Sequence, residues 1–231
     1  MTLLSTFEIE ALALSLKVAL LASVLSLLPA IAAAWLLSRT RLPGRSMLNV
    51  LVHAPLVLPP VVIGYLLLMT FGVRSPVGAW LNDTLGVRLV FTTAGAVLAA
   101  AVMALPLMVR AVKLSLDGID QGLEFAARSL GATRLDAFAT VTLPLMLPGI
   151  LAGLLMAFAS SLGEFGATIT FASNVEGETR TLPLAIYTAI QSSGGEGEAA
   201  RLVMVAIVLS LVALAASDAA ERWARRMIHG S

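Results

Sequence analysis

Apolar residues along this chain come in runs of membrane length, separated by short polar stretches. The runs cover residues 11–37, 50–71, 90–109 and 143–162, with a fifth through 201–216. An α-helix needs about 20 apolar residues to cross the ~30 Å hydrocarbon core. The pattern therefore predicts an all-α, polytopic helical membrane protein with about five transmembrane helices. Lys17 lies near the start of the first run, where its long stem snorkels to the interface. The second run holds Pro55, Pro59 and Pro60. Two adjacent prolines do not fit a straight helix interior, so a kinked or late-starting helix is expected there. Residues 72–88, with Pro76, Gly78, Asn82-Asp83 and Gly86, read as a loop, and Trp80 as an interfacial side chain. Ala and Gly in the third run permit close helix packing.

The apolar decapeptide 181–190 is too short to span. It is expected as a short outer helix, re-entrant, interfacial or packed against the bundle. Basic residues give the orientation. Arg39, Arg41, Arg45, Arg110, Lys113, Arg128, Arg134, Arg222, Arg225 and Arg226 fall on one side of a five-span chain. Arg74, Arg88, Arg180 and Arg201 fall on the other. The N-terminus is expected outside, the C-terminus and the segment 123–149 in the cytoplasm. Glu8 and Glu10 stand where a signal peptide would be basic, so the first run is expected to be retained. No repeat or linker divides the chain, and one membrane domain is expected over residues 11–218.

Composition sharpens this reading. Of 231 residues 58% are hydrophobic and 13% charged, against roughly 25% charged in soluble domains. The net charge of +1 gives no reason to expect nucleic-acid binding. There is no cysteine, and the two histidines, His53 and His229, are far apart, so no metal site or other cofactor is expected. No phosphate-binding Gly-x-x-x-x-Gly-Lys-Ser/Thr loop, Ser–His–Asp set or HExxH is present, so no catalytic residue is expected. If transport is ATP-driven, the motor is another polypeptide.

The polar stretch 123–149 carries the most local information. Leu123, Ala126, Ala127 and Leu130 recur at i, i+3, i+4, i+7, one face of a short helix. Asp120 fits its N-cap and Gly131 a left-handed C′ position. Thr133 and Asp136 resemble a capping box that starts a second short helix through Phe138. Pro144 suits the first turn of the following span, and Pro148 bends its start. On pattern alone, an interfacial amphipathic segment with no partner remains open beside a docking elbow.

The same stretch resembles the EAA signature of ABC importer permeases, in which Glu-Ala-Ala is followed by Gly and an Ile-x-Leu-Pro end. Ala126, Ala127 and Gly131 fill the Ala-Ala and Gly positions, Val141 stands for the Ile, and Leu143-Pro144 match the end. The acidic position is Phe125, with Glu124 one residue early. It is open whether the acidic contact has moved to Glu124 or an aromatic knob replaces it. PLVLPPVVIGYLLL (residues 55–68), SLGEFGATITF (161–171) and GETRTLPLAIYT (177–188) resemble permease subunits of molybdate importers; sulfate permeases are similar around Glu164-Phe165-Gly166. The resemblance implies a type I (MetI-like) permease fold with a cytoplasmic coupling helix. Glu124, Phe125, Ala126, Ala127, Gly131, Leu143 and Pro144 would form the contact with an ABC ATP-binding subunit. It further implies a homodimer, an extracytoplasmic molybdate-binding protein as partner, and no enzyme activity in this chain. Tungstate and sulfate, also tetrahedral dianions, stay open as substrates. So does a different class, an ATP-independent anion channel or carrier, though such a protein needs no docking elbow. An intramembrane enzyme lacks a nucleophile–base pair.

Other residues have two readings each. Glu164, between Gly163 and Gly166 at a span end, is either solvated or a hinge or gate that pairs with an arginine or the binding protein. Ser160, Ser161, Thr168 and Thr170 are translocation-path candidates, because hydroxyls bind an oxyanion transiently without like-charge repulsion; the alternative is helix packing by small residues. Arg180, beside Glu176 and Glu178, is either a solvated loop charge or a contact for the binding protein. The arginine clusters set topology and meet anionic membrane lipid.

Overall fold

The computed structural model describes residues 5–40 and 43–229, and these are helical with no strand. The elements are α1 (Thr6–Arg39), α2 (Arg45–Val57), α3 (Pro60–Phe71), α4 (Pro76–Leu85), α5 (Thr93–Asp117), α6 (Gln121–Ser129) and α7 (Arg134–Ala137). A π turn (Phe138–Thr142) leads into α8 (Leu143–Leu162), followed by α9 (Gly166–Phe171), α10 (Leu182–Gln191) and α11 (Glu196–His229). Among the described residues four helices are long and apolar enough to cross a membrane, and five if α2 and α3, bent by 117°, count as one span. The chain between Arg45 and Thr93, which includes the bent pair, runs from one end of the bundle to the other. Arg45 shares a cavity with Leu37 and Lys113 at one end of the bundle. Thr93, which starts α5, binds Glu178 at the other end.

The first helix starts five residues before the apolar run, because Ser5 and Glu8 form a capping box. Glu8 is buried and also pairs with Arg201 at 2.8 Å, which ties α1 to α11. The core is the packing of α1, α5 and α8, and small residues set its spacing. A side chain at Gly149 would lie 2.2 Å from the Ser115 Cβ, and one at Gly153 would lie 3.0 Å from the Met108 Cγ. Ser26 donates to Ala22 O and, across helices, to Ala101 O at 3.1 Å. This is the close backbone approach expected where lipid supplies no hydrophobic drive.

The structure corrects several expectations. Residues 72–88 are not all loop: Ser75 caps α4, Pro76 opens it, and Gly86 at φ 64° closes it. Gly78 is there because a side chain would lie 2.0 Å from Gly72 O. The helix signals were present but outnumbered by turn-forming residues. The break at Pro59-Pro60 is sharper than a kink. After it, α3 lies on α9, with Gly64 against Ala167 and Thr170, and Gly166 against Pro60. The decapeptide becomes α10, packed on α1 and α11 through Leu182, Ala185 and Ala189. Leu182 N–H donates to Ser15 Oγ at 2.5 Å. Arg41 lies outside the described residues, as do the side chains of Arg222, Arg225 and Arg226.

Candidate functional site: the α6–α7 elbow

The elbow forms as its sequence dictates. Asp120 accepts from Gly122 N–H at 2.8 Å and caps α6. At the far end Gly131 takes φ 98°. There the Gly131 N–H donates to Arg128 O and the Ala132 N–H to Ala127 O, a Schellman closure that satisfies the last carbonyls. Thr133 and Asp136 form the expected capping box and start α7. The second helix does not then end at Phe138. It widens into the π turn, where the Leu143 N–H bonds Phe138 O, and continues as α8. Pro144 has no N–H to offer the Thr140 carbonyl, and a wide turn relieves the clash its ring would make. The elbow is therefore one body with the span that follows.

Three braces hold it to the bundle. The Thr142 hydroxyl, fully buried, donates to Glu124 Oε1. Trp35 of α1 meets Phe138 edge-to-face at 5.1 Å between centroids. Arg39 Nη2 donates to Leu116 O at 3.0 Å and Ile119 O at 3.2 Å, which closes α5 just before Asp120. Glu124 is thus turned inward, toward α8. Phe125 is turned out and is 63% exposed. Leu123 (46%), Leu130 (90%) and Leu135 (79%) are exposed beside it, with Arg128 and Arg134 among them. Ala126 is exposed and Ala127 half-buried; Leu143 is half-buried and Pro144 exposed. A cluster of large apolar side chains on a polar end of a bundle marks an interaction surface.

Sequence reasoning missed two residues here. Arg39 read only as a topology determinant, and Thr142 not at all. Their partners lie 77 and 18 residues away, and no local pattern signals such pairing.

The path candidates fall at the α8–α9 junction, at the opposite end of α8. Glu164 is neither solvated nor paired with an arginine: it is buried and accepts from Ala167 N–H at 2.8 Å, closing the first turn of α9. Ser161 is buried with its hydroxyl unpartnered. Thr168 is buried, and Thr170, half-buried against Gly64, donates to Gly166 O. Ser160 is half-buried one position away on α8. Arg180 is tied down locally: it pairs with Glu176 at 3.1 Å, donates to Asn174, and covers the Phe7 ring. Glu178 accepts from the backbone N–H and the hydroxyl of Thr93, which hold its carboxyl below the usual range.

Comparison with known proteins agrees with this architecture. The chain is 56% identical over 211 residues to the molybdenum transport system permease protein ModB of Escherichia coli (strain K12), covering 91% of this chain and 92% of that protein. It is 33% identical over 195 residues to the sulfate transport system permease protein CysT of the same strain, covering 84% and 70%. A solved structure of the MetNI methionine ABC transporter in inward facing conformations superposes with a TM-score of 0.71 at 18% identity, covering 96% of this chain and 99% of that one. Likeness at that identity concerns the fold, which is therefore of the MetI type. Residues 26–228 match one family, and the chain belongs to it: the binding-protein-dependent transport system inner membrane components.

Proposed function

We propose that this chain is the membrane-spanning subunit of an ATP-driven molybdate importer, and that its elbow couples the path to a separate ATP-binding subunit. One observation carries the coupling reading: the elbow presents Phe125, Leu130 and Leu135 outward while Glu124, Trp35 and Arg39 lock it to α8, α1 and α5. A push on the exposed face is transmitted to the span, because no flexible loop intervenes between α7 and α8. Phe125 takes the place of the acidic contact as an aromatic knob. Glu124, Ala126, Ala127, Gly131, Leu143 and Pro144 shape and hold the surface.

Molybdate is favoured over sulfate by the higher identity to the molybdenum permease, 56% against 33%. The elbow end also carries Arg39, Arg45, Arg110, Lys113, Arg128 and Arg134, which supports a cytoplasmic placement. On this reading the binding protein delivers the anion at the opposite end, two copies of the chain enclose the path, and the hydroxyls of Ser160, Ser161, Thr168 and Thr170 line part of it. Glu164 keeps its place there as the cap of α9. The chain itself carries no chemistry; nucleotide closure in the ATP-binding subunits would draw the two elbows together and turn the path outward.

The test is uptake of labelled molybdate into proteoliposomes that hold the chain, its ATP-binding subunit and its binding protein. Uptake should require ATP and resist excess sulfate. Uptake without ATP would remove the importer reading, and efficient competition by sulfate would reject the substrate.

A further inference from the structure

Two cavities meet at Lys17, at the end of the bundle opposite the elbow. One, of about 380 Å³, has a mixed lining in which Glu10, Lys17, Glu176 and Arg180 stand beside Phe7 and Leu14. The second, of about 770 Å³, is an apolar groove between α1, α4 and α5, with Leu21, Val24, Leu25, Leu81, Ala94 and Val97 on its walls. Lys17 lines both. Within this first cavity Arg180 and Glu176 pair with each other. Glu10 and Lys17 make no ion pair and no side-chain hydrogen bond among the described residues. The neighbouring Glu178 carboxylate is already engaged by Thr93. Both side chains are exposed, and the Lys17 ammonium lies near enough to the Glu178 carboxylate to help stabilise its charge.

We propose that this pair of cavities is a binding site for one phospholipid with a primary-amine headgroup, a phosphatidylethanolamine. Glu10 and Lys17 are seven residues apart on α1, so they lie on one face about 10 Å apart along the axis. Lys17 is the deeper of the two and stands over the groove. In this lipid the phosphate likewise lies next to the acyl chains and the ammonium beyond it. The order of charge in the protein, cation then carboxylate toward the surface, is the complement of that order. The groove runs from Lys17 to Leu25, about 12 Å of helix, close to the ~15 Å hydrocarbon depth of one leaflet. A glycerol headgroup offers Glu10 only neutral hydroxyls, without the charge that strengthens the bond, and a choline headgroup has no N–H to donate to it. The inference rests on membrane embedding alone, so it stands or falls independently of the transported substrate.

The experiment is native mass spectrometry of the full chain with its ATP-binding subunit, released from detergent after equilibration with equal amounts of phosphatidylethanolamine, phosphatidylglycerol and phosphatidylcholine. Phosphatidylethanolamine should be retained about tenfold over the other two, the scale of one or two charge-assisted hydrogen bonds. Lys17→Ala should lower retention of all three lipids, and Glu10→Gln should bring phosphatidylethanolamine down to the phosphatidylcholine level. Ala94→Trp, at an exposed groove position, should empty the site without altering its charges. A melting curve for each variant separates loss of the site from loss of the fold. Equal retention of the three lipids, unchanged retention in folded Lys17→Ala, or unchanged selectivity in folded Glu10→Gln overturns the proposal. So does the outcome in which those two variants weaken capture of the binding protein while lipid retention is unaltered.

Discussion

Truncating the outward side chains of the elbow separates docking from folding. Leu130 is 90% exposed and Phe125 63% exposed, so neither contributes much to the isolated chain. Leu130→Ala removes three carbons, at about 0.8 kcal/mol each when fully buried by a partner, or roughly 2 kcal/mol after scaling for the exposed fraction. That is about a thirtyfold loss in affinity for the ATP-binding subunit. Phe125→Ala removes a comparable exposed area and should weaken binding to a similar extent. The effect of each on the chain's own stability should stay within about 0.5 kcal/mol, as for other exposed positions. The assay is equilibrium binding of the purified ATP-binding subunit to the detergent-solubilised chain, with thermal melting of the chain alone beside it. Affinities within twofold of the unaltered chain for both variants would refute the docking surface. A fall of several degrees in melting temperature would refute the claim that these side chains have no structural duty.

Further outcomes follow from the same contacts. Glu124→Ala should let ATP hydrolysis continue while uptake falls. Thr142→Val should add little to it, since the two groups share one hydrogen bond; additive losses in the double variant would dissociate them. Gly64→Ala would place a Cβ 2.7 Å from Ala167 O and Thr170 Cβ, and should cost about 1–3 kcal/mol of stability as overpacking, read by melting. Glu178 has its carboxyl held low by Thr93, so the stability it adds is present above the ordinary value of about 4.3 and is lost as pH falls through the lower folded value. The melting-temperature difference between the chain and Glu178→Ala should therefore shrink as pH drops below about 4, and a difference constant from pH 3 to 7 would contradict it.

What could be read from the chain alone follows the range of the interaction. The caps of the elbow are local chemistry, and Asp120, Gly131 and the Thr133–Asp136 box stand where their spacing puts them. The limits of α8 likewise match its apolar run. The π turn was not legible, because the pattern marks Pro144 as a start and does not say that a helix already precedes it. Glu164 looked like a surface charge because nothing in sequence distinguishes a solvated carboxylate from one that caps a six-residue helix. The inward turn of Glu124 and the outward turn of Phe125 depend on Thr142 and on how α6 lies against the bundle. Composition cannot encode that, and adjacent residues on a helix point about 100° apart. The break at Pro59-Pro60 was visible, but its direction is set by the fit of Gly64 and Gly166 to α9 and α3, a long-range contact.

The chain has no cysteine, so a single introduced thiol reports on one position. The most direct measurement is labelling of Leu130→Cys by a membrane-impermeant maleimide in oriented vesicles, with and without the ATP-binding subunit. The thiol should react from the cytoplasmic face only and be protected when the subunit binds. Labelling from the opposite face, or labelling that the bound subunit leaves unchanged, would contradict the elbow as the point where the motor meets the path.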